Sequence, residues 1–144
     1  MISISYPPYQ FKIKNHKQKD IIFDECRKAW VILTPEECVR QNLLQYLIQI
    51  MKYPQVLIAV EKEINLGDTK KRFDIVVFKN SKPWMILECK EKNVPLNEAV
   101  IIQILNYNIT LQVEYLVITN GNETHALHLS NGGFTWIEQL PEYQ

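Results

Sequence analysis

The chain has 144 residues, 47% of them hydrophobic, and its 16 basic and 16 acidic side chains give a formal net charge of zero. That length suits one domain able to bury a core without staples, and a pI of 6.8 argues against a passive nucleic-acid binder, whose domain pI would usually lie above about 9. No apolar run approaches the roughly 18 residues of a membrane span, Met1-Ile2-Ser3-Ile4-Ser5 lacks a signal peptide's basic start, and Cys26, Cys38 and Cys89 have no CxxC spacing, which fits a reducing cytoplasm, away from membranes, rather than a disulfide framework or a zinc site.

Residues 1–33 read as an N-terminal extension packed on a single domain of residues 34–144. Pro7-Pro8 bar regular structure, after which Phe11-Lys12-Ile13-Lys14 and Ile21-Ile22-Phe23 suit two short strands. Lys12, Lys14, Lys17 and Lys19 cluster here, and Lys70-Lys71-Arg72 form a second basic group. Either cluster suits a rim facing a phosphodiester or an ordinary solvated surface.

A helix is expected over about 35–52. Thr34 is a good N-cap, Pro35 suits the first helical position, and Glu37 completes a capping box. Val39, Leu43, Leu47 and Ile50 recur on one face. On that wheel Glu36 and Arg40 project near the middle of the apolar face and pair one turn apart, while Glu37 sits at the edge and serves the cap.

Strands follow at about 56–66, 71–79 and 83–90, dense enough in Val, Ile and Phe to be covered on both faces. Asn97 caps a second helix over about 97–111, on which Gln103 and Tyr107 stand one above the other. Strands at about 114–119, 124–129 and 133–137 complete the chain, with turns at Asn120-Gly121-Asn122 and Gly132-Gly133. The order predicts an α/β fold, a mixed sheet flanked by helices.

Charged groups are costly inside apolar strands unless they are paired or bind a metal. Asp74 nonetheless interrupts one such strand, and Glu88 and Lys90 end the next. A hairpin symmetric about Ser81 places Asp74 opposite Glu88, with Cβ atoms about 5 Å apart. Alternation then puts Lys90 on the same face and Cys89 on the other. Two carboxylates and an ammonium converge, the geometry of a divalent-metal site with an attendant lysine; a surface salt-bridge cluster is the bland alternative. His125 and His128, three apart in a strand, fall on opposite faces and do not share a metal.

Asp74, Glu88-Cys89-Lys90 and the Gln103-Ile-Leu-Asn-Tyr107 helix resemble the PD-(D/E)xK nuclease superfamily. Leu33-Thr-Pro-Glu-Glu-Cys-Val-Arg-Gln41, Lys71-Arg72-Phe73-Asp74, Glu88-Cys-Lys90, Gln103 and Thr119-Asn120-Gly121 together resemble the N-terminal domain of type I restriction enzyme R subunits, over roughly Trp30 to Leu129. The resemblance implies a restriction-endonuclease-like fold and a DNA endonuclease using Mg²⁺ or Mn²⁺. It implies Asp74, Glu88 and the Cys89 carbonyl as metal ligands, Lys90 as the catalytic lysine and Glu36 as an additional acid, with Glu61 and Glu63 as weaker competitors. Gln103, Tyr107 and Arg72 would contact DNA. Other restriction or DNA-processing subunits are the implied partners, and a double-strand cut would call for two sites, as in a homodimer. If the chain is complete it lacks the helicase motor of the large R subunits and cannot translocate. The alternative is a catalytically silent relative, a DNA- or protein-binding module on the same fold.

Overall fold

The computed structural model describes residues 1–66, 68–108, 113–130 and 132–144, with the side chains of 66, 69 and 105–108 outside the description. Among the described residues there are two sheets. A small antiparallel meander comprises β1 (Ile13–His16), β2 (Lys19–Asp24) and β3 (Ala29–Ile32). The expected two strands are therefore three: residues 29–32, for which no strand was expected, pair with β2, Phe23 standing opposite Trp30. Lys17 and Gln18, both at positive φ, make the two-residue turn between β1 and β2, a geometry matched to the twist of a hairpin.

The large sheet has the order β4 (Ile58–Leu66), β5 (Thr69–Lys79), β6 (Lys82–Cys89), β7 (Tyr115–Thr119), β8 (Thr124–Ser130) and β9 (Gly133–Ile137). Among the described residues of this sheet, β6 and β7 pair parallel and the other neighbours antiparallel. A parallel pair needs a crossover, and α2 (Glu98–Asn108) lies in that connection. The sheet is therefore mixed. Val100 N–H donates to Asn97 Oδ1 at 3.0 Å, the expected cap, while residues 109–112, at the expected end of this helix, lie outside the described residues.

The first helix is α-helical only over α1 (Pro35–Gln45) and continues as a π-helical turn at Tyr46–Ile50. Met51 N–H reaches back five residues to the Tyr46 carbonyl, and this wider turn ends the expected apolar face early: Val39, Leu43 and Leu47 are buried, whereas Ile50 is exposed. On one side of the sheet Leu43, Leu44 and Leu47 pack against Ile75, Val77, Met85, Leu87, Cys89 and Val117. On the other, Phe73, Val76, Ile86 and Leu116 form one cluster, and Ile101 of α2 joins Leu96 and Ile118 in a second. Both faces are covered, as the density of Val, Ile and Phe predicts. Residues before the meander join in: Ile2 bridges to Thr124 and lies in the α1-side core.

The hairpin departs from simple symmetry about Ser81. Asn80 and Ser81, both at positive φ, form the turn and set Lys79 opposite Lys82. An irregularity between Val77 and Phe78 then shifts the register by one, giving Ile75 opposite Leu87. That shift carries Asp74 and Glu88 to the same level at the open end.

Candidate functional site

Asp74 sits where the β5 alternation breaks. Phe73 and Ile75 are two residues apart, yet they pack in clusters on opposite sides of the sheet. The β4–β5 ladder passes from Val60–Ile75 to Lys62–Phe73 without pairing Glu61 and Asp74, and Glu61 has a φ of 55°. A side chain freed from the ladder here meets both sides. Asp74 Oδ2 accepts from Cys89 N–H at 2.7 Å, while Oδ1 accepts from Arg40 Nη2 at 3.1 Å.

Arg40 organises the α1 side. Only 6% exposed, its guanidinium lies 2.7 Å from Glu37, 2.8 Å from Glu61 and 3.1 Å from Asp74. Burial opposes its charge, but the three carboxylates outweigh burial and raise its pKa. The network extends outward. Glu37 and Asp24 both contact Arg27, and Gln41 donates to both acids. Asp24 is fully buried, and although burial opposes ionisation, the Arg27 backbone and side chain and the Gln41 amide hold its pKa below the usual range.

This arrangement corrects the expected roles of Glu36 and Glu37. Glu37 is the buried acid at 5% exposure, whereas the Glu36 side chain is 45% exposed and 3.9 Å from Arg40. The reason is the meander. Asp24 and Arg27 dock against the helix edge that carries Glu37 and Gln41 and bury it, which the helical wheel alone does not show. Half of the capping box forms, with Glu37 N–H donating to Thr34 Oγ1 at 3.0 Å. The Glu37 carboxylate turns to the arginines. Glu36 remains near the site: burial and Asp74 raise its pKa, opposed by Arg40 and Lys90.

The α2 side differs. Lys71, Arg72, Glu88 and Lys90 of the sheet end line a cleft of about 290 Å³ with Val100 and Gln103 of α2. Glu88 is partly buried in this cleft and strongly perturbed. Burial first, then hydrogen bonding with Asp74 and the Asp74 charge, push its pKa up to about 8, against the pull of Lys71 and Lys90. Two carboxyls this close hold a proton between them into neutral pH. Cys89 is fully buried in the α1-side core, as alternation predicts. Lys90 N–H donates to the Thr119 carbonyl at 2.8 Å, so the β7 end fixes the main chain of this lysine. Asn120 closes the adjoining turn, its Oδ1 accepting from the N–H groups of Asn122 and Glu123.

Asp74, Glu88, Lys90, Glu36, Arg72 and Gln103 thus border one region, whereas the Tyr107 side chain lies outside the described residues. Arg72 stands 3.8 Å from Glu61. Glu61 is closer to this centre than expected, and Glu63 is not part of it, pairing loosely with Lys70 at the sheet edge. His125 packs edge-on against Trp136, and His128 stacks on Tyr115, separate environments as expected. The residues missed by sequence reasoning are Arg40 as hub and Arg27, Asp24 and Gln41 behind it. An arginine on the inner face of a helix is the signal that points to them, since a buried charge demands partners.

Among the described residues no helix is long and apolar enough to cross a membrane. No curated protein matches the chain. Residues 35–141, most of the chain, match the family of the type I restriction enzyme R protein N terminus (HSDR_N), and the protein belongs to that family.

Proposed function

We propose that this protein is a Mg²⁺- or Mn²⁺-dependent DNA endonuclease of the PD-(D/E)xK type, serving a restriction system together with other subunits. The observation that carries the reading is the meeting of Asp74 and Glu88 beside Lys90 at the mouth of a basic cleft, with Glu88 held protonated to about pH 8. Structural acids are normally paired with cations, as Glu37 is with Arg27 and Arg40. Glu88 instead faces another acid.

The donor set fits a hard divalent cation. Magnesium takes oxygen ligands, often only one or two carboxylates, and keeps several waters. Asp74 and Glu88 would hold it, with the Cys89 carbonyl as a further oxygen and Glu36 near enough to act on its waters. Among the described residues no group of three or more His, Cys, Asp or Glu stands ready for a metal, and Glu37 and Glu61 are paired with Arg40. When bound, the metal would lower the pKa of water and stabilise charge on the scissile phosphate.

The remaining roles belong to the chain. Lys90 orients the attacking water and steadies the negative charge that develops as oxygen adds to phosphorus. Arg72 and Lys71 hold the flanking phosphates, and Gln103 positions the backbone from α2. Arg40 holds the Asp74 carboxylate in place through its 3.1 Å contact. The P–O bond to the sugar breaks, and the leaving oxygen takes a proton from solvent or a neighbouring acid.

A second reading has its own observation: both Asp74 oxygens already accept hydrogen bonds. A silent relative would keep this clamp shut and bind without cutting. Calorimetric titration of Mg²⁺ and Mn²⁺ into wild type and Asp74→Ala, with cleavage of plasmid DNA alongside, separates the two. Saturable binding and cleavage, both lost in the variant, are expected. Wild type that binds DNA but neither takes up metal in its presence nor cuts it would establish the silent module instead.

A further inference from the structure

We infer that the outward face of the β1–β3 meander is a sequence-independent docking surface for the phosphate backbone of DNA. The inference rests on the DNA reading above only for the identity of the anion. The meander lies before the matched residues 35–141, and the site described above uses only its inner face.

Directly paired residues share a face of a sheet. Lys14, Ile21 and Ile32 form one row across the three strands, and Phe23 and Trp30 form the next. Lys12 joins that second row, its carbonyl accepting from Phe23 N–H at 2.9 Å. His16 and Lys19 pair at the end. The opposite face carries Ile22 and Asp24, both buried against the domain. The outward face thus holds three lysines, a histidine and four apolar side chains, with Trp30 40% and Ile32 51% exposed. It holds no acid: Asp20 and Asp24 fall on the other face, and Glu25 lies in the β2–β3 turn.

Two of these ammonium groups are positioned rather than free to wander. Lys14 Nζ lies 4.2 Å from the Trp30 ring centre and Lys12 Nζ 5.5 Å from that of Phe23. Cation–π contact restrains a lysine without neutralising it. Residues two apart on a strand are about 6.6 Å apart, a spacing suited to successive phosphates. The face carries no planar amide, carboxylate or guanidinium fork, and lysine ammonium groups act on phosphate as point charges, so backbone contact is its natural use. Its position is fixed as well, because Asp24 on the inner face is bonded to Arg27 and Gln41.

The test is binding of a fluorescent DNA duplex in EDTA across a salt series, so that cleavage plays no part. Wild type is compared with Lys12→Gln/Lys14→Gln/Lys19→Gln and with the matching triple arginine variant. The expected result is binding weakened about tenfold or more in the glutamine variant, with the log–log salt slope smaller by roughly 2–3. The arginine variant retains both. Hydrogen exchange on the wild type supplies a readout independent of any variant's folding, with protection by DNA expected across residues 12–32.

The proposal is overturned if wild type fails to bind DNA at low salt, if the glutamine variant keeps the full slope, or if exchange over the meander is unchanged. Polyglutamate competing as well as DNA of equal charge would assign the face to an acidic protein. Binding to phosphatidylserine vesicles but not to DNA would assign it to a membrane surface, and either result also overturns the proposal. Binding through this face without cleavage in Mg²⁺ would sink the nuclease reading and leave the surface standing; cleavage with an unaltered slope would do the reverse.

Discussion

The two sides of Asp74 are built on opposite electrostatic rules. Toward α1, Arg40 and Arg27 answer Glu37, Glu61, Asp24 and Asp74, and the Asp24, Glu37 and Arg40 side chains are removed from water. Toward α2, Glu88 faces Asp74 across a cleft lined by lysines and an arginine, and it holds a proton to about pH 8. A buried charge that is paired is fixed in place. A half-buried charge beside another of the same sign favours any cation that enters. The first side positions Asp74, and the second leaves Glu88 and Lys90 available for chemistry.

The contrast breaks most severely at Arg40. Removing one member of a buried charge network strands its partners, at a cost of about 3–5 kcal/mol. Arg40→Met should therefore lower the unfolding free energy by that amount in urea titration. A loss below about 1 kcal/mol would mean that water, not Arg40, balances these acids.

Lys90→Ala should have the opposite signature. Cleavage in Mg²⁺ is expected to fall by about 10²–10⁴-fold, with the thermal midpoint almost unmoved because this side chain anchors no core. A variant that melts early yet cuts normally would place Lys90 on the structural side.

Glu88→Gln sharpens the comparison through pH. A carboxyl whose folded pKa is raised to about 8 favours the protonated folded state. Its contribution is fully present below its unfolded value of about 4.5 and is lost as pH rises through about 8. The amide cannot ionise, so Glu88→Gln should match wild type near pH 4.5 and exceed its stability by about 1–3 kcal/mol at pH 9. Equal stability at both pH values would show that Glu88 ionises freely. The smallest effect belongs to Thr34→Ala, which removes the N-cap acceptor for Glu37 N–H and should cost about 1 kcal/mol without altering cleavage.

The elements were legible where the pattern is local. The Thr34-Pro35 start and the Asn97 cap each depend on a few adjacent residues. Apolar density along β5, β6 and β7 likewise announced a sheet covered on both faces. Less legible was everything that depends on how one element rolls against another. Glu36 and Glu37 differ by one helical step, and only the docked meander determines which is buried. The end of the first helix escaped for a related reason: a π-helical turn changes the hydrogen-bond step, so Leu47 stays buried while Ile50 is turned out to 51% exposure.

Sequence by itself determined that Asp74 and Glu88 belong to adjacent strands, with Lys90 just past the end of the second, because hairpin pairing follows from a turn and a count of residues. Tertiary structure alone decided how those groups are charged and held. The shift at Val77–Phe78, the unpaired Glu61–Asp74 step and the buried Arg40 are packing outcomes. A carboxylate's ionisation depends on the charges within a few ångströms and the water left around it, and both come from segments far apart in the chain.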